Sequence, residues 1–104
     1  LRIRDFHGAV DLAGKIGDKI LATADGVVIA TDWHRALGNY IKIKHKYGYE
    51  TLYGHLKTFL VEEGQKVQKG EVIGTMGTSG RTNGVHIHYA ITQFGKSVNP
   101  KDYF

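Results

Sequence analysis

Apolar residues in this chain recur mostly at every second position, in short runs separated by glycine or Asp-Gly, which is the pattern of half-buried β-strands. The clearest run is Tyr40 to Lys46. Ile41, Ile43 and His45 fall on one face of an extended chain and Lys42, Lys44 and Lys46 on the other, so one face is buried and the other wet. The runs Lys19 to Ala24, Gly26 to Thr31, Thr51 to His55, Glu71 to Met76 and Val85 to Ile91 are rich in β-branched or aromatic residues and predict further strands. Asp25-Gly26 suits a tight hairpin, and Gly48, Gly64, Gly70, Gly80 and Gly84 mark turns. Helix is expected only as a turn or two around His55 to Val61, and Pro100 marks a stop. With no linker, low-complexity tract or long repeat, residues 1–104 read as one domain, an all-β antiparallel sandwich or partly open barrel with little or no helix.

Composition changes this picture in three places. A chain of 104 residues with 41% hydrophobic and 23% charged residues suits one core in an ordinary globular domain. The net charge of +4 favours anionic partners such as nucleic acid, anionic lipid or cell-wall polymer, without choosing among them. The basic residues (Arg2, Arg4, Lys15, Lys42, Lys57, Lys66 and Lys96) are scattered, however, so nucleic-acid binding is not expected. The absence of cysteine excludes disulfides and thiolate ligands, leaving histidine and carboxylate to hold any metal. No run approaches the roughly 18 apolar residues of a membrane-spanning helix, and no signal peptide is visible. The chain opens at Leu1 rather than Met, as a fragment or processed product would.

The six histidines carry unequal information. In Val85-His86-Ile87-His88-Tyr89 the two imidazoles lie two apart and project from the same face of a strand, with Val85, Ile87 and Tyr89 pointing the other way. Alone, such a pair serves equally well as hydrogen-bonding groups on a wet face. His7 and Asp11 lie four apart, ~13 Å in a straight strand, so the backbone must bend between them to bring both to one metal, and Gly8 suits that bend. His55 follows Gly54 at the end of a predicted strand. Two His and one Asp would make a facial set with a position left open for water, the layout of a catalytic zinc site, and two His would remain beside it for proton transfer. His34, next to Trp33, reads as a loop residue, and His45 as a satisfied core or rim residue.

The order His7-x-x-x-Asp11, Tyr53-Gly54-His55-Leu56, Gly64-x-x-Val67-x-x-Gly70-x-x-Ile73-Gly74, Gly77-x-x-Gly80, Gly84-Val85-His86-Ile87-His88 and Asn99-Pro100 resembles the lysostaphin-type (LytM-like) zinc endopeptidases from about Phe6 to Tyr103. The resemblance implies Zn²⁺ held by His7, Asp11 and His88, catalytic roles for His55 and His86, and a β-sheet core with loops walling a groove over the metal. Val85 stands where the family usually has proline, and Tyr89-Ala90 where it often has Phe-Glu.

The expected activity is zinc-dependent hydrolysis of peptide cross-links in bacterial peptidoglycan, by a monomer in the periplasm or at the cell wall. Without an HExxH motif no glutamate is placed as general base, which leaves histidine for that task. The glycine-rich stretch Thr75 to Gly84 is expected to wall the groove and bind an extended peptide through main-chain groups, with Arg81 and Asn83 as substrate contacts. The alternative is a catalytically inactive LytM-like module that activates a cell-wall amidase, although such members typically lack a ligand and all five residues are present here. A lipoyl- or biotinyl-type carrier, suggested by Gly17 to Ala22 and Gly64 to Gly74, lacks a lysine at a hairpin tip. A generic β-sandwich adhesion domain leaves the histidines unexplained.

Overall fold

A computed structural model describes residues 3–6, 9–80 and 85–100. The strands are β1 (Ile3–Phe6), β2 (Ala9–Ala13), β3 (Lys19–Leu21), β4 (Gly26–His34), β5 (Gly38–Lys44), β6 (Tyr49–Phe59), β7 (Lys66–Val67), β8 (Val72–Met76), β9 (His86–Gln93) and β10 (Lys96–Val98). The single helical element among the described residues is a 3₁₀ turn at Lys46–Gly48. Every strand pairing is antiparallel, in one sheet whose main path runs β1-β2-β9-β6-β5-β4-β7. β10 extends the sheet from β9, and β8 joins β6 to β3. The sheet curls around one core without closing, the partly open all-β architecture that the period-two pattern predicts.

The alternation of β5 is seen directly. Ile41 and Ile43 are fully buried, whereas Lys44 is exposed and Lys42 reaches Glu50 across the strand pair at 3.9 Å. They meet Tyr53 and Leu56 of β6, Ile73 and Met76 of β8, and Ile87, Tyr89 and Ile91 of β9 in a single cluster that also takes in Val10, Val28, Val61 and Val67. Fully burying an aliphatic side chain of this size is worth about 1.5–3 kcal/mol, so these alternating positions hold the sheet in register.

Two expectations are corrected. Residues 55–59 do not begin a helix, because β6 runs unbroken through His55 to Phe59. Asp25-Gly26 does not close a tight hairpin, because β3 pairs with β8 while β4 pairs with β5 and β7.

The most consequential feature is a change of partner along β6. One edge of β6 pairs with β5 from Glu50 to Leu56, while the other pairs with β9 as far as Gly54↔His88 and with β8 from Leu56↔Met76 onward. Opposite β5, Asn39 pairs with Leu56 and Ile41 with Tyr53, so Tyr40 alone faces Gly54 and His55. That is a β-bulge, which leaves one residue of β6 out of the ladder and re-aims it. His55 therefore stands where the sheet divides.

Candidate active site

The site is assembled from three neighbouring strands. β2 and β9 pair with Asp11 opposite His88 and Ala13 opposite His86, which brings the carboxylate beside both imidazoles on one face of the sheet. Asp11 Oδ1 lies 3.3 Å from His88 Nδ1, and Asp11 Oδ2 lies 3.5 Å from His86 Nε2. The intervening Ile87 is buried in the core, as the two-residue period requires. On the far side of β9, Gly54 faces His88. A Cβ at Gly54 would come within 3.3 Å of the Leu37 carbonyl and 3.4 Å of His88 Cβ, so glycine keeps this space clear.

His55 enters from the bulge. Its backbone has φ of +63°, a left-handed conformation that β-carbon sterics disfavour in any residue but glycine, and a cost of that kind is characteristic of functional positions. The conformation is held by hydrogen bonds from His55 N–H to Leu37 O at 2.6 Å and from Gly77 N–H to His55 O at 3.1 Å. The ring is nearly buried and stands edge-on to His86 and His88, with centroid separations of 5.1 and 6.0 Å. Its Nδ1 lies 2.7 Å from Ser79 O. A carbonyl only accepts, so Nδ1 carries the proton and the neutral ring keeps its lone pair on Nε2. Burial lowers the pKa of His55, partly opposed by the Ser79 hydrogen bond. His86 and His88 push it further down, and Asp11 pulls it up.

The structure thus brings Asp11, His55, His86 and His88 into one cluster. His7, Arg81 and Asn83 lie outside the described residues, and among the described residues no three His, Asp or Glu side chains form a metal-holding group. The donor chemistry nevertheless fits a cation. Asp11 Oδ1 is buried and accepts no hydrogen bond from the described residues, while it faces an imidazole nitrogen at 3.3 Å. A buried carboxylate oxygen without a donor costs about 1–3 kcal/mol or more, and a metal ion shared with that nitrogen would relieve it. Oxygen and imidazole donors are those zinc accepts.

His34 and His45 stand apart from this cluster. His34 ends β4, exposed, and accepts a hydrogen bond from Ala36 N–H at 3.1 Å, so it closes a strand and is not itself a loop residue. His45 is hydrogen-bonded to Asp25 O and Thr51 Oγ1, each at 2.7 Å, the satisfied rim position expected of it.

Ser79, Asn39 and the Leu37 carbonyl were not singled out by the sequence. Gly77-Thr78-Ser79-Gly80 lies within the stretch expected to wall the groove, yet part of its polar capacity is turned inward to His55. The available signal was a serine flanked by glycines that permit backbone contact. A Cβ at Gly38 would lie 2.2 Å from Ser79 C, and one at Gly80 would lie 2.2 Å from Gly38 N.

Known proteins share this fold. Residues 5–100 match Peptidase family M23. The chain is 43% identical over 93 residues to the peptidoglycan DD-endopeptidase ShyA of Vibrio cholerae, covering 89% of this chain and 22% of the relative. It is 47% identical over 95 residues to the murein hydrolase activator NlpD of Escherichia coli, covering 90% and 25% respectively. The chain thus spans about a quarter of the length of either curated relative. The catalytic domain of the antimicrobial peptidase lysostaphin from Staphylococcus simulans superposes with a TM-score of 0.87 at 25% identity, covering 93% of this chain and 77% of that one.

Proposed function

The chain belongs to peptidase family M23, the lysostaphin-type (LytM-like) peptidases, and from that premise we propose that it hydrolyses peptide cross-links of bacterial peptidoglycan. The observation that carries the reading is the convergence of Asp11, His55, His86 and His88, with Asp11 Oδ1 buried and without a donor among the described residues. The family is one of zinc metallopeptidases. Asp11 and His88, with His7 as the third ligand, would hold the ion. When bound, zinc lowers the pKa of water to about 7 and polarises a carbonyl oxygen.

The remaining steps belong to the chain's own side chains. His55, with Nδ1–H committed to Ser79 O, offers the Nε2 lone pair and takes a proton from the attacking water. The water oxygen bonds to the scissile carbonyl carbon, the C–N bond breaks, and His55 returns the proton to the departing amine. His86, its ring 5.1 Å from that of His55, donates a hydrogen bond to the carbonyl oxygen as negative charge develops there. Arg81 and Asn83 are proposed to contact the peptide. The reaction takes place in the periplasm or at the cell wall, on the peptide stems of adjacent glycan strands. The likeness to ShyA favours D,D cross-links over glycine bridges.

Incubation with purified D,D-cross-linked and glycine-bridged muropeptides, with and without a chelator, tests the reading. Chelator-sensitive cleavage of the first substrate is expected, and intact muropeptides after incubation of the zinc-loaded protein would refute it. The His86→Ala protein is expected to bind zinc stoichiometrically without turnover.

The likeness to NlpD supports a second reading, an activating module for a cell-wall amidase. The two readings part on zinc. A peptidase holds one ion per chain, whereas a pure activator has no use for one.

A further inference from the structure

The hydroxyl of Ser79 occupies an unusual place in the sheet. It accepts a hydrogen bond from Asn39 N–H of β5 at 3.0 Å and donates one to Leu56 O of β6 at 2.5 Å, so it is inserted between a donor and an acceptor of paired strands. Leu56 O also accepts from Asn39 Nδ2 at 3.1 Å, which fills both of its lone pairs. The same residue's carbonyl accepts from His55 Nδ1 at 2.7 Å. Ser79 therefore grips the bulge twice, by the His55 ring and by the carbonyl of the residue that follows it.

The surroundings leave this grip little freedom. Gly38 and Gly80 both have positive φ, +66° and +78°, and their backbones approach too closely for any Cβ. The 77–80 segment and the start of β5 are pressed together, with the Ser79 hydroxyl as the polar link between them. Without that hydroxyl, Asn39 N–H loses its partner, Leu56 O loses one of two, and the Ser79 peptide is no longer tied to the sheet.

We propose that Ser79 is the positioning residue for His55. By pinning its own peptide to β5 and β6, it fixes the carbonyl that selects the Nδ1–H tautomer and keeps the His55 lone pair on Nε2. Its value for turnover rests on the peptidase reading above, but its effect on the ring does not. A correctly placed general base contributes on the order of 10²–10⁴-fold, so partial loss of tautomer and orientation lowers kcat by about tenfold or more with KM nearly unchanged.

The decisive measurement is the ¹⁵N NMR spectrum of the His55 ring in the zinc-free protein, compared among wild type, Ser79→Ala and Ser79→Thr. The Nδ1–H form should dominate in wild type and Ser79→Thr and give way to a mixture in Ser79→Ala, with kcat following in the zinc-loaded proteins. A folded Ser79→Ala protein whose ring keeps the wild-type tautomer overturns the proposal, whatever its kcat. If Ser79→Ala does not fold, Ser79→Cys, whose thiol is a weak donor, carries the same prediction. A tautomer change in a protein whose wild type cleaves no muropeptide would leave the positioning role standing and remove the peptidase reading.

Discussion

The molecule holds histidines in two kinds of polar environment. Around His45, the ring bonds to Asp25 O and Thr51 Oγ1, the Thr51 hydroxyl donates to Tyr53 OH at 2.9 Å, and Tyr53 OH meets Thr23 Oγ1 at 3.0 Å. Thr23 Oγ1 in turn meets Tyr89 OH at 2.9 Å, so the chain of contacts runs from the exposed rim through buried Thr51 and Tyr53 to Thr23 and Tyr89, with each group answered. Around Asp11 the contacts are longer, 3.3 Å to His88 Nδ1 and 3.5 Å to His86 Nε2, a buried carboxylate oxygen has no donor among the described residues, and His55 is held in a left-handed backbone. Both regions place histidine in a polar setting within the sheet, and what separates them is hydrogen-bond satisfaction. The closed network spends its polar groups on the fold, whereas the open one keeps a carboxylate oxygen clear of any donor among the described residues.

The largest expected effect breaks the open side. Asp11→Asn or His88→Ala should lose stoichiometric zinc, measured by atomic absorption, and with it all muropeptide cleavage. The zinc-free Asp11→Asn protein should also be no less stable than zinc-free wild type in urea titration, because a buried carboxylate oxygen with no donor among the described residues is removed. A marked loss of stability in the zinc-free variant would show Asp11 to be structural and erase the contrast.

The closed side should respond in the opposite sense. His45→Ala removes both ring hydrogen bonds; water replaces the one at exposed Asp25 O, while buried Thr51 Oγ1 is left short of a partner, a cost of about 1–2 kcal/mol in urea unfolding. Its zinc content and kcat should match wild type. Reduced zinc binding by this variant would mean that the two networks are coupled through the sheet.

How far the sequence reveals each region follows from how local its cause is. Side-chain alternation is local, so Ile41 and Ile43 show the buried face of β5, and His86 and His88 can be read as a pair on one face of β9. The bulge is not local. It places buried Tyr53 and Leu56 three apart, a helical spacing, and this is why the stretch after His55 imitates a helix until its partners on β5 and β8 are known. Asp25-Gly26 misleads for a related reason. A turn signal states that the chain bends, but the partner that each strand finds is settled by the rest of the sheet. Ser79 is hidden more deeply, since its carbonyl is common to every residue and its hydroxyl matters only because two strands meet beside it.

The smallest effect tests the far end of the closed network. Burial raises the pKa of Tyr89 to about 12, with the Thr23 hydrogen bond pulling it back and Tyr53 adding to the rise. Folding thus favours the protonated phenol. Between pH 10 and about 12 the unfolded chain releases this proton while the folded one keeps it, so stability falls as pH rises through that window, by about 1.4 kcal/mol per unit. Tyr89→Phe deletes both the hydrogen bond and the titration. At pH 8 it should be about 1 kcal/mol less stable than wild type, the net worth of one such bond. Above pH 10 wild type alone carries the extra slope, so the two stability curves should converge and cross roughly one unit higher. Parallel curves from pH 8 to 12 in urea unfolding would show that the Tyr89 hydroxyl is not held protonated by the core, and that the closed network ends at Thr23.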